Sequence, residues 1–178
     1  MLNGHRVSSD EDGLRLAFRA AVHARQRGED PFGAVIVQGQ TVLASSGSRE
    51  LELGDPTAHA EVLAIREACQ TLRTLSLVEC TLYASTEPCI MCSGALKWAG
   101  IERVVYSVPQ SALQAASGGL QKPGCAQLVN TGRRHIEIVG PLLQAEGLAV
   151  LADHVFTPKA LRYAARHGDA FFLDDPST

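Results

Sequence analysis

Two short stretches hold the residues whose types and spacing could do chemistry. In Asp55-Pro56-Thr57-Ala58-His59-Ala60-Glu61 an imidazole stands two residues from a carboxylate. In Thr86-Glu87-Pro88-Cys89-Ile90-Met91-Cys92 two thiols stand three residues apart. Zinc takes thiolate sulfur and imidazole nitrogen readily, and a catalytic zinc keeps three protein ligands with a fourth position open. His59, Cys89 and Cys92 supply that count. A closed structural site would need a fourth ligand, and Cys80, Cys125 and His135 have no suggestive spacing. It would also have no use for Glu61, which beside an open position can carry protons.

The spacing constrains the geometry. Cys89 and Cys92 are three apart and share a face of a helix. His59 and Glu61 are two apart, about 200° around an ideal helix, so they serve one centre only from the helix end. Both motifs fall at predicted helix starts. Two helix N-termini directed at one ion favour thiolates and other anions there.

The elements that must position these residues can be read from periodicity. Apolar residues from Glu11 to about Arg27 recur at helical spacing, and Gly28 is a stop signal. Phe32 to Val37 suits a buried strand, and Gln38-Gly39-Gln40 turns it into a second strand over Thr41 to Ser45. Ser46 to Thr57 reads as a polar loop that walls the site. Thr57 is placed to cap a helix running to about Leu72. Thr81 to Ala84 reads as a strand, and Pro88 suits the first turn of a helix that stops at Gly100. Arg103 to Ser107 and His135 to Val139 are two more strands. Strand-helix-strand units imply a parallel portion of sheet with helices on its faces. Between Pro109 and Thr131 the glycines and prolines break any long element. Helices are expected over Leu142 to Phe156 and Leu161 to Ala165, and the apolar tail Phe171-Phe172-Leu173 could pack on the body or on a partner.

The 178 residues fit one domain, read as 1–178 with 141–178 a C-terminal helical extension. Sixteen basic residues against nineteen acidic ones leave a net charge of −3, which argues against a protein built mainly to grip a phosphate backbone. Arg15, Arg19, Arg25 and Arg27, and the pair Arg133-Arg134, read as solvated faces. No apolar run reaches the roughly 18 residues of a membrane span, and the N-terminus lacks a signal-peptide core; a cytoplasmic protein is expected. Five cysteines are an odd number, against a disulfide framework. Cys69, Cys80 and Cys125 read as small buried apolar residues.

With these residues in place, the chain resembles the cytidine-deaminase-like superfamily over about Leu14 to Ile138. The H-x-E followed by P-C-x-x-C signature is that of zinc nucleobase deaminases. Asp-Pro-Thr-Ala-His-Ala-Glu with Glu-Pro-Cys-Ile-Met-Cys is similar to the branch of bacterial guanine deaminases, cytosine deaminases and tRNA adenosine deaminases. The resemblance implies an α/β fold, a three-layer α/β/α sandwich with a five-stranded mixed sheet, commonly a homodimer. It implies Zn2+ on His59, Cys89 and Cys92, with Glu61 as proton shuttle. The activity implied is hydrolytic deamination of a free nucleobase or close analogue (guanine-, cytosine- or ammeline-like) or a nucleoside. The alternative is A-to-I editing of tRNA, for which nucleic acid would be the partner. A non-catalytic zinc-binding module is a remote third reading.

Pro31 to Val37 and Trp98-Ala99-Gly100 resemble the free-base enzymes, and Phe32, Ala60 and Trp98 are candidate substrate contacts. Two departures stand out. Relatives usually carry a substrate-binding Asn where this chain has Ser48, which lacks the amide's paired donor and acceptor. Ala115-Ala116-Ser117-Gly118-Gly119 replaces an acidic Phe-Asp-Asp-like segment of guanine deaminases. Both departures count against guanine itself and leave room for cytosine, a triazine such as ammeline, or a nucleoside; substrate choice is expected to turn on the loop beginning near Ser48.

Overall fold

The computed structural model describes residues 5–118, 123–130 and 135–167. Its centre is a five-stranded mixed sheet in the order β2-β1-β3-β4-β5. The strands are β1 (Gly33–Gln38), β2 (Thr41–Gly47), β3 (Cys80–Thr86), β4 (Arg103–Val108) and β5 (Glu137–Val139). β1 runs antiparallel to both β2 and β3, whereas β3, β4 and β5 are parallel. The hairpin and the strand-helix-strand units expected from the sequence are therefore both present.

Alternation along the strands divides the core in two. Ala34, Ile36, Leu82, Ala84, Val104 and Tyr106 face one side. There they meet Ala60, Ala64 and Ala68 of α3 (Ala60–Leu72), Leu96 and Ala99 of α4 (Ile90–Ala99), and Cys125 and Val129 of α6 (Cys125–Val129). Val35, Val37, Tyr83 and Val105 face the other side, under Leu14, Ala17 and Phe18 of α1 (Asp10–Gln26), with Val150 of α7 (Gln144–Leu151) beside them. This is the three-layer α/β/α sandwich. The helix α1 lies close against the hairpin because Gly33 and Gly47, paired across β1 and β2, have no side chain. A Cβ on Gly33 would sit 2.1 Å from the Ala17 carbonyl oxygen, and one on Gly47 2.6 Å from that of Ala20.

Several boundaries differ from the sequence reading, each for a local reason. The loop over Ser46 to Thr57 holds a one-turn helix, α2 (Glu50–Leu53). Its cap lies far away in sequence: the buried Glu29 carboxylate accepts from the N–H groups of Leu51 (3.1 Å) and Glu52 (2.7 Å). Thr57 does not cap α3. Its N–H and hydroxyl both donate to Asp55 Oδ1, an Asx-type turn, and His59 takes the cap position. Pro88 likewise precedes the cap of α4, which is Cys89. The difficult segment after Pro109 contains α5 (Gln110–Ser117) and α6. The fifth strand begins at Glu137 and not at His135, and the expected long helix stops at Leu151. The last helix, α8, covers Lys159–His167.

The arginines of α1 are not all a solvated face. Arg15 pairs with Glu146 of α7 (3.0 Å), and Arg25 donates to the Ala152 carbonyl (2.8 Å), so they fasten the C-terminal helices. Arg133-Arg134, Gly119 and the Phe171-Phe172-Leu173 tail lie outside the described residues. No helix among the described residues is long and apolar enough to cross a membrane.

Candidate active site

Parallel β3 delivers its C-terminal end directly to Thr86-Glu87-Pro88, and the chain turns there into α4. Cys89 is the cap of α4 and His59 the cap of α3, so the two helices start at one place. Cys92, on the first turn of α4, is fully buried. His59 Nδ1 stands 3.6 Å from Sγ of Cys89 and 3.6 Å from Sγ of Cys92. Bonds of about 2.3 Å to sulfur and about 2.0 Å to nitrogen at a tetrahedral angle would put these atoms about 3.5 Å apart. The donor set and its spacing thus fit a tetrahedral zinc. Among the described residues these three are the cluster able to hold a metal. Cys80, Cys125 and His135 are not in it, and burial raises the thiols of Cys80 and Cys125 to about 11, which suits inert core residues.

Electrostatics among these side chains follow from burial and proximity. A hydrogen bond from Cys92, together with His59, holds Cys89 well below the usual thiol range, which favours its thiolate form. Cys92 is pushed up by that same bond, by burial and by Glu61. Burial works to lower His59, but hydrogen bonds with Cys89 and Glu50 raise it to about 10. Zinc must displace protons from His59 and Cys92 as it binds. Glu61 is 6% exposed on the first turn of α3. Burial first, and then the Cys89 charge, raise its carboxyl above the usual range, which is the condition for a group that picks up and returns protons.

A cavity of about 180 Å3 opens over these residues. Its polar wall includes Asp30, Glu87 and Gln110, and Phe32 and Phe156 line it on the apolar side. Phe32 and Phe156 stack with centroids 6.0 Å apart and an interplanar angle of 25°. Glu87 is buried and anchors the far wall: its carboxylate accepts from the N–H groups of Gln110 (2.9 Å) and Cys125 (2.7 Å). These two bonds hold the starts of α5 and α6 against the site.

Of the residues expected to touch substrate, the structure brings Phe32 to the cavity and leaves three away from it. Trp98 is 93% exposed on the outer face of α4. Ala60 is packed in the core under the sheet. Ser48 is buried and its hydroxyl donates to Glu50 Oε2 (3.2 Å), not into the cavity. The helical period explains Trp98, which lies on the opposite side of α4 from Cys92 and Leu96. Sequence reasoning missed Asp30, Gln110, Phe156 and Lys159 because no local motif marks them. Glu87 stands in the motif beside the Pro-Cys pair, but nothing in the sequence marked its role as an anchor for α5 and α6.

The description "Cytidine and deoxycytidylate deaminase zinc-binding region" belongs to a family model that matches residues 7–108. The chain belongs to this family. It is a zinc-dependent hydrolytic deaminase, with the cytidine-deaminase-like fold described above. Relatives at useful identity differ in what they act on. The chain is 47% identical over 107 residues to the tRNA-specific adenosine deaminase of Aquifex aeolicus, covering 60% of this chain and 68% of that one. It is 39% identical over 144 residues to a probable cytosine deaminase of Schizosaccharomyces pombe, covering 76% and 85%. The crystal structure of guanine deaminase from Bacillus subtilis superposes with a TM-score of 0.60 at 40% identity, covering 61% of this chain and 70% of that one.

Proposed function

We propose that this deaminase releases ammonia from a free nucleobase or close analogue of guanine, cytosine or ammeline type, or from a nucleoside. The observation that carries this reading is the small cavity over the zinc residues, roofed by Phe156 and Lys159 of the C-terminal segment. At about 180 Å3 it is below the roughly 300 Å3 at which sites for drug-sized ligands begin, and it suits one heteroaromatic ring system lying against the stacked Phe32–Phe156 pair. The charge distribution supports the same reading. Arg27, Arg49, Arg162 and Arg166 around the site are paired with carboxylates, which leaves little net positive charge to follow a phosphate backbone.

In this reading His59, Cys89 and Cys92 hold the zinc. When bound, the ion acts as a Lewis acid that brings the acidity of water toward neutral pH, about 7. Glu61 takes a proton from the attacking water and delivers it to the ring nitrogen. A C–O bond forms at the ring carbon bearing the amine, Glu61 carries a second proton to the amine, and the C–N bond breaks to release ammonia. The products are the oxo base and NH3. Phe32 and Phe156 hold the ring and exclude bulk water.

Ammonia release from guanine, cytosine, ammeline, adenosine and cytidine tests the proposal, with reaction of a base or nucleoside expected. If all five are inert and a tRNA anticodon stem-loop gains inosine, the reading is wrong. That second reading draws its support from the 47% identity to the Aquifex aeolicus enzyme. A homodimer is also proposed. On α4, Ile90 (64% exposed) and Trp98 (93% exposed) line one outer face with Gly94 between them, the kind of apolar patch that a partner covers. Sedimentation of the wild type and of Trp98→Ala checks it, and a monomeric wild type would refute it.

A further inference from the structure

The carboxylate of Glu50 is placed between two parts of the molecule that no sequence motif connects. Its Oε1 lies 3.3 Å from Nε2 of His59, on the ring edge opposite the metal-facing Nδ1. The same oxygen accepts from Nζ of Lys159, the first residue of α8, at 2.5 Å. Ser48 donates to the other oxygen, Oε2, and Glu29 holds the short helix that carries Glu50. Glu50 itself is 7% exposed. The helix α8 buries none of its own residues. It is held by polar contacts to buried acids: Lys159 to Glu50, Arg162 to Asp30, and Arg166 to Glu29. Phe156, just before it, stacks over Phe32 at the cavity.

A carboxylate on the far nitrogen of a zinc histidine fixes its tautomer and ring orientation and strengthens it as a ligand. Here that carboxylate also takes one of the ion pairs that seat the roof of the cavity. We propose that Glu50 is a positioning residue shared by the zinc histidine and the C-terminal helix, so that seating α8 and holding zinc strengthen one another. Ser48 then has a role, since its hydroxyl donates to Oε2 and orients the Glu50 carboxylate. The inference rests on the zinc centre and not on the identity of the substrate, and its readouts are taken with no substrate present.

Chelator competition and limited trypsinolysis test it together. Glu50→Gln should weaken zinc binding about ten- to a hundredfold. Lys159→Met removes a half-exposed side chain and leaves the fold intact, so it carries the test if the first variant folds poorly. It should weaken zinc about fivefold. Binding couplings are reciprocal, so stripping zinc from the wild type should speed cleavage after Arg162 and Arg166 by a similar factor. Cleavage after Arg19, in the middle of α1, should not change. In Lys159→Met the zinc dependence of α8 cleavage should vanish. The coupling is overturned if Lys159→Met binds zinc as tightly as the wild type, or if α8 cleavage ignores zinc. It is equally overturned if cleavage at Arg19 rises in step, since zinc would then be holding the whole fold.

Discussion

The sheet with its packed helices and the C-terminal segment from Lys159 are attached to the same site by opposite means. Around the sheet, α1, α3 and α4 bury apolar faces, with Leu14, Ala17, Ala64 and Leu96 fully excluded from water. No residue of α8 is fully buried, and its fastenings are polar: a lysine and two arginines on Glu50, Asp30 and Glu29, with Arg162 also on the Gly28 carbonyl and His167 on that of Leu51. Apolar burial is not weakened by charge screening and is hard to undo locally, at about 25 cal/mol per Å2. Ion pairs with one exposed partner are screened and individually weak. The proposed zinc ligands His59, Cys89 and Cys92 and the proposed proton carrier Glu61 therefore stand on the part packed by apolar burial. Lys159, at the edge of the cavity, stands on the part held by polar contacts, and Phe156 reaches the cavity just before it, packed on Phe32 and His154.

The largest expected effect lies wholly on the rigid side. Glu61→Ala should keep its zinc and its fold, by metal analysis and circular dichroism, while kcat falls about 10^2- to 10^4-fold. An active variant would remove Glu61 from the proposed proton path. Next, Leu82→Ala in the core beneath the site should lower unfolding free energy by about 2–5 kcal/mol in urea. Deleting residues 159–178 should move the urea midpoint far less and instead raise KM. A truncation as destabilising as Leu82→Ala would erase the contrast drawn here. Smaller again, Phe156→Ala should raise KM for the preferred base about tenfold, equivalent to about 1.4 kcal/mol, with zinc content unchanged. If KM does not move, the aromatic pair is packing and not a substrate clamp.

The same contrast explains what could be read from the sequence. The sheet, its helices and the zinc cluster were legible because each rests on local periodicity or short spacing: the hairpin, the two strand-helix-strand units, and Cys89 with Cys92 one turn apart. The geometric requirement that His59 and Glu61 act from a helix end is met by His59 as the cap of α3. The roof was not legible, because its contacts are single side chains joined across long separations, such as Glu50 with Lys159 and Asp30 with Arg162. Ser48 illustrates the limit. A comparison of types marked it as a missing amide, but only the fold shows that its partner is Glu50 and that its side chain does not enter the cavity. Trp98 shows the same limit from the other side: an aromatic close in sequence to Cys92 is 93% exposed and does not line this chain's cavity.

The smallest effect tests whether the sheet side depends on ion pairs at all. Arg103 forks onto both oxygens of Asp10 at 2.7 and 2.8 Å, tying the first turn of α1 to β4, and Tyr83 donates to the same carboxylate. The Arg103 hydrogen bond outweighs burial and holds Asp10 below the usual carboxylate range. A carboxyl depressed in the folded state contributes stability that is present above its unfolded value, about 3.9. That contribution is lost as pH falls through the lower folded value, where the unfolded chain binds more protons. Wild-type stability should therefore fall on acidification below about pH 5, and Asp10→Asn should show a shallower slope there while losing little at neutral pH. The pair is partly exposed, so its share is small beside the apolar face of α1. If Asp10→Asn instead cost as much at pH 7 as Leu82→Ala, α1 would be held by charge as α8 is. The division between a core packed by apolar burial and a roof pinned by ion pairs would then have to be redrawn.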